Sequence, residues 1–377
     1  MPESATALTS SLAASLPASA YRDPEVYAAE QAAIFAPSWL CVARVDQVAS
    51  PGDVVPVQVS GESVLLVRDR DGVLRALRNL CRHRGAQLCR DGALTGARAI
   101  SCPYHGWAYG LDGRLIGAPN MPEMPDLVKA DFGLHPVRLT EWLGYVWVTL
   151  NPVAPDLAEQ VDPQLVDRFG TVETLARYRI ETLRVARTIT YEVASNWKAV
   201  VENFMECYHC GTLHPELTAA LPQFATGWGT VSGGLGAGAA LAEGLAAFSL
   251  SGKGSRPRLP GLLAQDDRLF FGVILRPNVF LILVPDHVAV FRLVPRDAGH
   301  TSVVVDWLFD PAAMAEPGFD PDDAVEILDR TNRQDWDACE RCQLGTASSA
   351  YSAVLVPAEQ VILEFHAWVR SHLATPA

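Results

Sequence analysis

Two textures divide the chain. Between about Gly52 and Pro152, apolar and polar residues alternate in short runs: Val54–Val59, Ser63–Arg68, Leu74–Asn79 and Gly144–Leu150. Arg70-Asp71-Gly72 and Asp112-Gly113 interrupt them. Period-two alternation broken by glycine-bearing turns predicts strands and hairpins, hence a small all-β module. On either side the pattern is mixed. Asp23-Pro24-Glu25 reads as a helix start, with Asp as N-cap and Pro at the first helical position. Val26, Tyr27, Ile34 and Phe35 give that helix one apolar face, and Pro37 limits it. Further on, a helix is predicted over 195–210. A glycine-rich stretch between Gly229 and Arg258 follows, too long for an ordinary connection and read as a lid or a poorly ordered segment. Then comes a meander of strands at Phe270–Leu275, Val279–Val284, His287–Val294 and Thr301–Phe309, and a last helix from Asp320-Pro321. The expected class is α+β, divided into an N-terminal helical segment (1–45) packed on the last domain, a β domain (46–153) and a second domain (154–377).

Composition narrows the partners. With 377 residues, 49% of them hydrophobic, the chain can bury a core in each domain and is not intrinsically disordered. Thirty Lys and Arg against 43 Asp and Glu leave a net charge of −13, which disfavours nucleic acid and anionic membrane as partners. The N-terminus lacks a basic start and an apolar core of the secretory kind, and no run approaches a membrane span. The expected compartment is therefore the cytoplasm, where the eight cysteines should be reduced, as metal ligands or buried thiols.

Two constellations carry chemistry. In the first, Cys81-Arg82-His83 is followed, after eighteen residues, by Cys102-Pro103-Tyr104-His105. Two Cys and two His could hold zinc. Zinc fingers, however, pair Cys with Cys and His with His. Here each loop offers one thiolate and one imidazole, which suits a Rieske [2Fe–2S] cluster, whose two irons take two Cys and two His respectively. Cys89 lies between the loops and is expected to be structural.

The second constellation is Glu206, His209, His214 and Asp335. On the predicted helix, Glu202, Glu206 and His209 fall at i, i+4 and i+7, on one face. The five-residue step from His209 to His214 swings the side chain roughly 140° at 100° per residue. The two can share a metal only if the helix ends or distorts, for which Gly211 and Pro215 provide. A facial triad needs a carboxylate as well. Val325, Leu328, Asn332, Asp335, Cys339 and Cys342 recur at spacings of three and four and form one stripe, whereas Asp337 lies off it. An acid on an otherwise apolar face needs a partner, and this selects Asp335. The rival is a four-cysteine zinc site built from Cys207/Cys210 and Cys339/Cys342.

Asn79-Leu80-Cys81-Arg82-His83-Arg84-Gly85 and Cys102-Pro103-Tyr104-His105-Gly106-Trp107 resemble the Rieske motif of the Rieske non-haem iron oxygenases, the ring-hydroxylating α-subunit family. The resemblance implies a Rieske β domain followed by a helix-grip catalytic domain, whose curved antiparallel sheet embraces iron. It makes Cys81, His83, Cys102 and His105 the cluster ligands, and His209, His214 and Asp335 the ligands of a mononuclear Fe(II). It makes Glu206 the carboxylate that links the two centres between subunits of a head-to-tail homotrimer. O2 is the implied co-substrate. Electrons from NAD(P)H would come through a separate flavin- or ferredoxin-type reductase, since the chain has no Gly-rich dinucleotide fingerprint. Glu206 and Cys207-Tyr208-His209-Cys210, with Asn332-Arg333-Gln334-Asp335-Trp336, are similar to the branch of glycine betaine and stachydrine demethylases. Oxidative N-demethylation or hydroxylation of a betaine-like quaternary amine is therefore expected, with Phe204, Phe224, Trp228 and Phe291 as the aromatic residues for cation–π contact. The alternatives are hydroxylation or dihydroxylation of an aromatic ring, and a Rieske electron carrier without catalysis.

Overall fold

A computed structural model describes residues 11–90, 92–227, 238–254 and 256–374, and the described chain forms two compact units. The first spans Phe35–Leu157. Its main sheet has six antiparallel strands in the spatial order β1 (Leu40–Arg44), β9 (Tyr145–Thr149), β8 (Pro136–Trp142), β4 (Leu74–Arg78), β3 (Glu62–Arg68) and β2 (Val54–Val59). A three-stranded sheet, β5 (Ile100–Ser101), β6 (Ala108–Tyr109) and β7 (Leu115–Gly117), carries the second Cys-His loop. Val54, Leu65, Val67, Leu77, Ile100 and Leu115 pack with Cys81 and Cys102 into one buried cluster. Residues 40–44, assigned from sequence to the N-terminal helical segment, are instead the edge strand β1. Leu40, Cys41, Ala43 and Arg44 are buried there and pair with β9, a partner about a hundred residues away that the segment's own pattern does not reveal.

The second unit joins the described residues before Phe35 to those after Leu157. Its sheet is again six-stranded and antiparallel, in the order β10 (Arg184–Val193), β15 (His300–Phe309), β14 (Val288–Asp297), β13 (Val279–Leu283), β12 (Leu269–Leu275) and β11 (Ala239–Ala240). Helices α3 (Trp197–Met205) and α6 (Asp322–Gly345) pack on it, and both supply site residues. At the N-terminus, α1 (Pro24–Glu30) has Asp23 as its N-cap, the carboxylate accepting from the Glu25 amide at 2.9 Å. Glu30 ends α1 fully buried against α3. There it accepts from Lys198 Nζ at 2.7 Å and from Trp197 Nε1 at 2.8 Å. Of the glycine-rich segment, residues 228–237 and 255 lie outside the described residues. The rest is tied down: Ala239–Ala240 extends the sheet, and Arg256 bonds Asp286 and Asp323. Among the described residues no helix is long and apolar enough to cross a membrane.

Candidate active site

The two Cys-His loops of the first unit share one backbone design. The Cys81 amide donates to Ala86 O at 2.8 Å and the Gly85 amide to Cys81 O at 3.0 Å. In the other loop the Cys102 amide donates to Trp107 O at 2.7 Å and the Gly106 amide to Cys102 O at 3.0 Å. Gly85 and Gly106 take φ of +71° and +68°, which L side chains adopt only with strain, so each closes its knuckle. The loops place both thiols inside the core, at 2% and 4% exposure, with the two imidazoles outside them. The His83 and His105 rings lie 4.6 Å apart, and His83 stacks on Trp107. Both cysteines are free although they belong to one buried cluster. Tyr109 Oη lies 3.2 Å from Cys81 Sγ and accepts from the Arg82 amide. Burial and the neighbouring thiol push its hydroxyl pKa up, which keeps it a neutral hydroxyl beside the Cys81 sulfur. Thiols within and imidazoles at the surface fit a cluster whose sulfur-ligated iron is buried and whose histidine edge meets solvent. Sequence reasoning missed Tyr109, since only the β5–β6 pairing brings it back to Cys81. Cys89 is a buried thiol beside Asn79 Oδ1, which accepts its amide.

In the second unit, α3 stops at Met205, earlier than the predicted end at 210. Glu206 is extended, and its carboxylate accepts the Tyr208 amide while lying 2.5 Å from His209 Nδ1. That side chain satisfies the donors of the turn beyond the helix, which is why the helix ends there. Glu202 therefore does not share a face with Glu206 and His209. It points away, accepting from Tyr21 Oη and His366 Nε2, each at 2.9 Å. A short turn α4 (Cys210–Leu213) carries the chain to His214, and Pro215 opens α5 (Pro215–Ala220).

The result is a tight cluster. Asp335 Oδ1 lies 2.8 Å from His214 Nε2 and 3.3 Å from His209 Nε2, and accepts from Asn203 Nδ2 at 3.2 Å. Asp337 is elsewhere, paired with Arg341 at the surface. Gln334 Oε1 accepts from His214 Nδ1 at 2.7 Å, and Glu206 holds His209 Nδ1, so both Nε2 atoms turn toward Asp335. Burial alone would lower the His209 pKa, but its hydrogen bonds to Asp335 and Glu206 push it up to about 10. Burial alone would raise the Asp335 pKa, yet the two histidines hold it below the usual carboxylate range. A buried carboxylate here requires positive charge from its surroundings. Two imidazole Nε2 atoms and one carboxylate oxygen form the donor set that a divalent iron uses while keeping open positions.

Cys207 and Cys210, expected to be reduced, are joined in a disulfide with Cα atoms 4.9 Å apart. The turn that brings His209 back toward Asp335 also brings these two together, a proximity that compartment arguments do not reveal. The four-cysteine zinc alternative falls with it: Cys210 Sγ is committed to Cys207, Cys339 Sγ donates to Ala199 O, and Cys342 lies at the surface.

A cavity of about 510 Å³ opens onto His209, His214 and Asp335. Phe204, Phe224, Phe270 and Phe291 line it. Phe204 stacks on Phe280 with centroids 4.2 Å apart and leans toward Phe291 at 5.9 Å. Trp228 lies outside the described residues. Phe270 belongs to the same wall but sits far from the motifs in sequence. Only strand pairing with Ala239 reveals it.

A cysteine-histidine β unit followed by a sheet-and-helix unit with two histidines and an aspartate on one cavity defines an iron oxygenase of the Rieske class. The chain belongs to the ring-hydroxylating α-subunit family. Residues 38–130 match the Rieske [2Fe-2S] domain, and residues 180–375 match the ring hydroxylating alpha subunit (catalytic domain). A Rieske cluster, a mononuclear iron and O2 are thus its working set. The glycine betaine monooxygenase oxygenase subunit of Chromohalobacter salexigens is 31% identical over 368 residues, 89% of this chain and 80% of that one. The carnitine monooxygenase oxygenase subunit of Escherichia coli is 38% identical over 218 residues, 58% of this chain and 56% of that one. The crystal structure of the quaternary ammonium Rieske monooxygenase CntA with L-carnitine superposes with a TM-score of 0.72 at 25% identity, covering 96% of both chains. Naphthalene 1,2-dioxygenase from Rhodococcus sp. shares the fold, with a TM-score of 0.74 at 20% identity, covering 96% of this chain and 95% of that one.

Proposed function

We propose that this chain is the oxygenase component that attacks an N-methyl or neighbouring C–H bond of a quaternary ammonium compound. The observation that carries the reading is the aromatic wall of Phe204, Phe224, Phe270 and Phe291 in the cavity that also holds His209, His214 and Asp335. Ring faces attract a quaternary ammonium by their quadrupole, a contact that needs no hydrogen bond, which such a cation cannot make. An aromatic hydrocarbon would gain burial there but no such charge-specific attraction. The betaine and carnitine substrates named for the relatives agree with this choice.

Cys81, His83, Cys102 and His105 are assigned to the cluster, and His209, His214 and Asp335 to the mononuclear iron. When bound, the iron supplies reductive activation of O2 with electrons delivered from outside the chain. The residues themselves hold and shape. Glu206 and Gln334 set the two imidazoles, Asn203 steadies Asp335, and the phenylalanines keep the substrate's methyl groups in a dry, ring-lined space. Glu206 is also assigned as the link to a neighbouring subunit's cluster in a homotrimer served by a separate reductase in the cytoplasm. The test is reductase-coupled O2 consumption across a panel of betaines and simple aromatics. Formaldehyde released in step with a betaine is the expected result. A stable cis-diol from an aromatic, with no betaine turnover, would overturn the reading. Light scattering of the purified protein checks the trimer.

A further inference from the structure

The cavity is lined by a second kind of charge that the iron and its ligands do not use. Arg276 follows strand β12 and is half-buried in the cavity wall. Its position is fixed from three sides. The backbone amide and Nε both donate to Gln164 Oε1, at 2.9 and 3.2 Å. Gln160 Nε2 donates to its carbonyl at 3.2 Å. The guanidinium carbon lies 5.2 Å from the ring centre of Trp368. What Arg276 lacks is an anion. Among the described residues no carboxylate lies within 4.0 Å of its guanidinium, whereas Arg177, Arg256 and Arg292 in the same unit each have one within 3.3 Å. Asp167 and Glu364 line the same cavity, but both are exposed to solvent and act on Arg276 only at longer range. Arg168, the other arginine of the wall, gives its Nε to Gly272 O and lies against Phe169 and Phe271.

A preorganised guanidinium without its own counter-ion, in a cavity with ring faces, is complementary to a molecule that carries both charges. The iron end contributes little net attraction for a cation, since a divalent ion offsets Asp335, so the rings must serve the ammonium. We propose that Arg276 is the specificity-determining anchor for a substrate carboxylate, and that this chain takes zwitterionic betaines in preference to cations without a carboxylate, such as choline. This rests on the quaternary-ammonium reading and sharpens it. A planar fork gripping a carboxylate would also hold the methyl groups at one distance, so the length between the two charges should matter.

The experiment is calorimetric titration of the iron-loaded protein, without O2 or reductase, with glycine betaine, γ-butyrobetaine and choline. The proteins are the wild type, Arg276→Gln and Arg276→Lys. Thermal unfolding confirms that the variants fold, since the backbone hydrogen bond to Gln164 does not depend on the side chain. Losing one charge-assisted pair predicts that Arg276→Gln weakens the better zwitterion about tenfold to a hundredfold and leaves choline within about twofold. Arg276→Lys should recover part of the loss. If a zwitterion binds wild type and folded Arg276→Gln alike, or choline binds wild type as tightly as the zwitterions, the Arg276 assignment fails while the quaternary-ammonium reading stands. If none of the three binds the wild type but a neutral aromatic does, that reading fails and takes the anchor with it.

Discussion

Gln334 Oε1 sits 2.7 Å from Nδ1 of His214, so the residue immediately before Asp335 grips the imidazole that faces Asp335. One turn of α6 thereby supplies both a proposed iron ligand and the clamp on its neighbour. Such a clamp fixes the tautomer and raises the basicity of the liganding nitrogen. Replacing Gln334 by Ala should raise the iron dissociation constant about 10–100-fold, by chelator competition, with the cluster spectrum unchanged. Gln334→Glu keeps an acceptor there and should restore much of the affinity. An Ala variant that holds iron as tightly as wild type would show the contact to be incidental.

The two proposed metal sites draw on separate residue sets and should be separable. Asp335→Ala removes the one carboxylate that, among the described residues, pairs with both histidines. Iron should fall from about three to about two atoms per chain while the visible cluster absorption persists. Cys81→Ser should do the reverse, bleaching the cluster and sparing the mononuclear iron. Metal analysis beside absorption spectra distinguishes the cases, and full iron with turnover in Asp335→Ala would exclude it as a ligand.

Phe204 presents a ring to the cavity, stacks on Phe280 and leans toward Phe291. Phe204→Leu keeps an apolar group of similar bulk and removes the quadrupole. A cation–π contact of about 0.5–2 kcal/mol predicts weaker binding of a trimethylammonium ligand by about 2- to 30-fold. A neutral tert-butyl analogue of the same shape should change little. Equal losses for both would mean that the ring acts by packing alone.

What could be read from the sequence, and what could not, divides along the range of the interactions responsible. Eight strands of the two six-stranded sheets were legible, because alternation and glycine turns are local signals, and so were the Cys-His loops, whose spacing is their geometry; β1, β8, β10 and β11, which show themselves through their partners, were not. The end of α3 was not. It depends on the Glu206 carboxylate folding back onto the Tyr208 amide and the His209 ring, whereas propensity alone would have carried the helix through. The Cys207–Cys210 bond has the same origin. Phe270, Tyr109 and Arg276 reach their sites only through strand pairing or packing on α2 (Leu157–Phe169) and α7 (Gln360–Leu373). Gln334 lay inside a motif already noted, yet no periodicity distinguishes a side chain that bonds a ring from one that faces solvent.

Among the described residues the most buried ion pair is not part of the cavity lining, and it tests how the N-terminal helix is held. Lys198 and Glu30 have side chains that are 0% and 1% exposed, 2.7 Å apart. Lys198 Nζ also donates to Asn196 Oδ1 at 2.8 Å, and Glu30 Oε2 takes the Trp197 indole N–H. Burial lowers the Lys198 pKa, with Glu30 opposing it, so the ammonium depends on its partner for its charge. Removing one partner strands the other, a loss of about 3–5 kcal/mol, whereas replacing both removes the desolvation cost along with the attraction. Lys198→Met alone should therefore lower the denaturant midpoint strongly. Glu30→Gln with Lys198→Met should recover much of it, because the amide still accepts from Trp197. Chemical unfolding followed by tryptophan fluorescence reads both variants. If the double variant is no more stable than Lys198→Met alone, the pair is not coupled as argued, and α1 is held to α3 by packing.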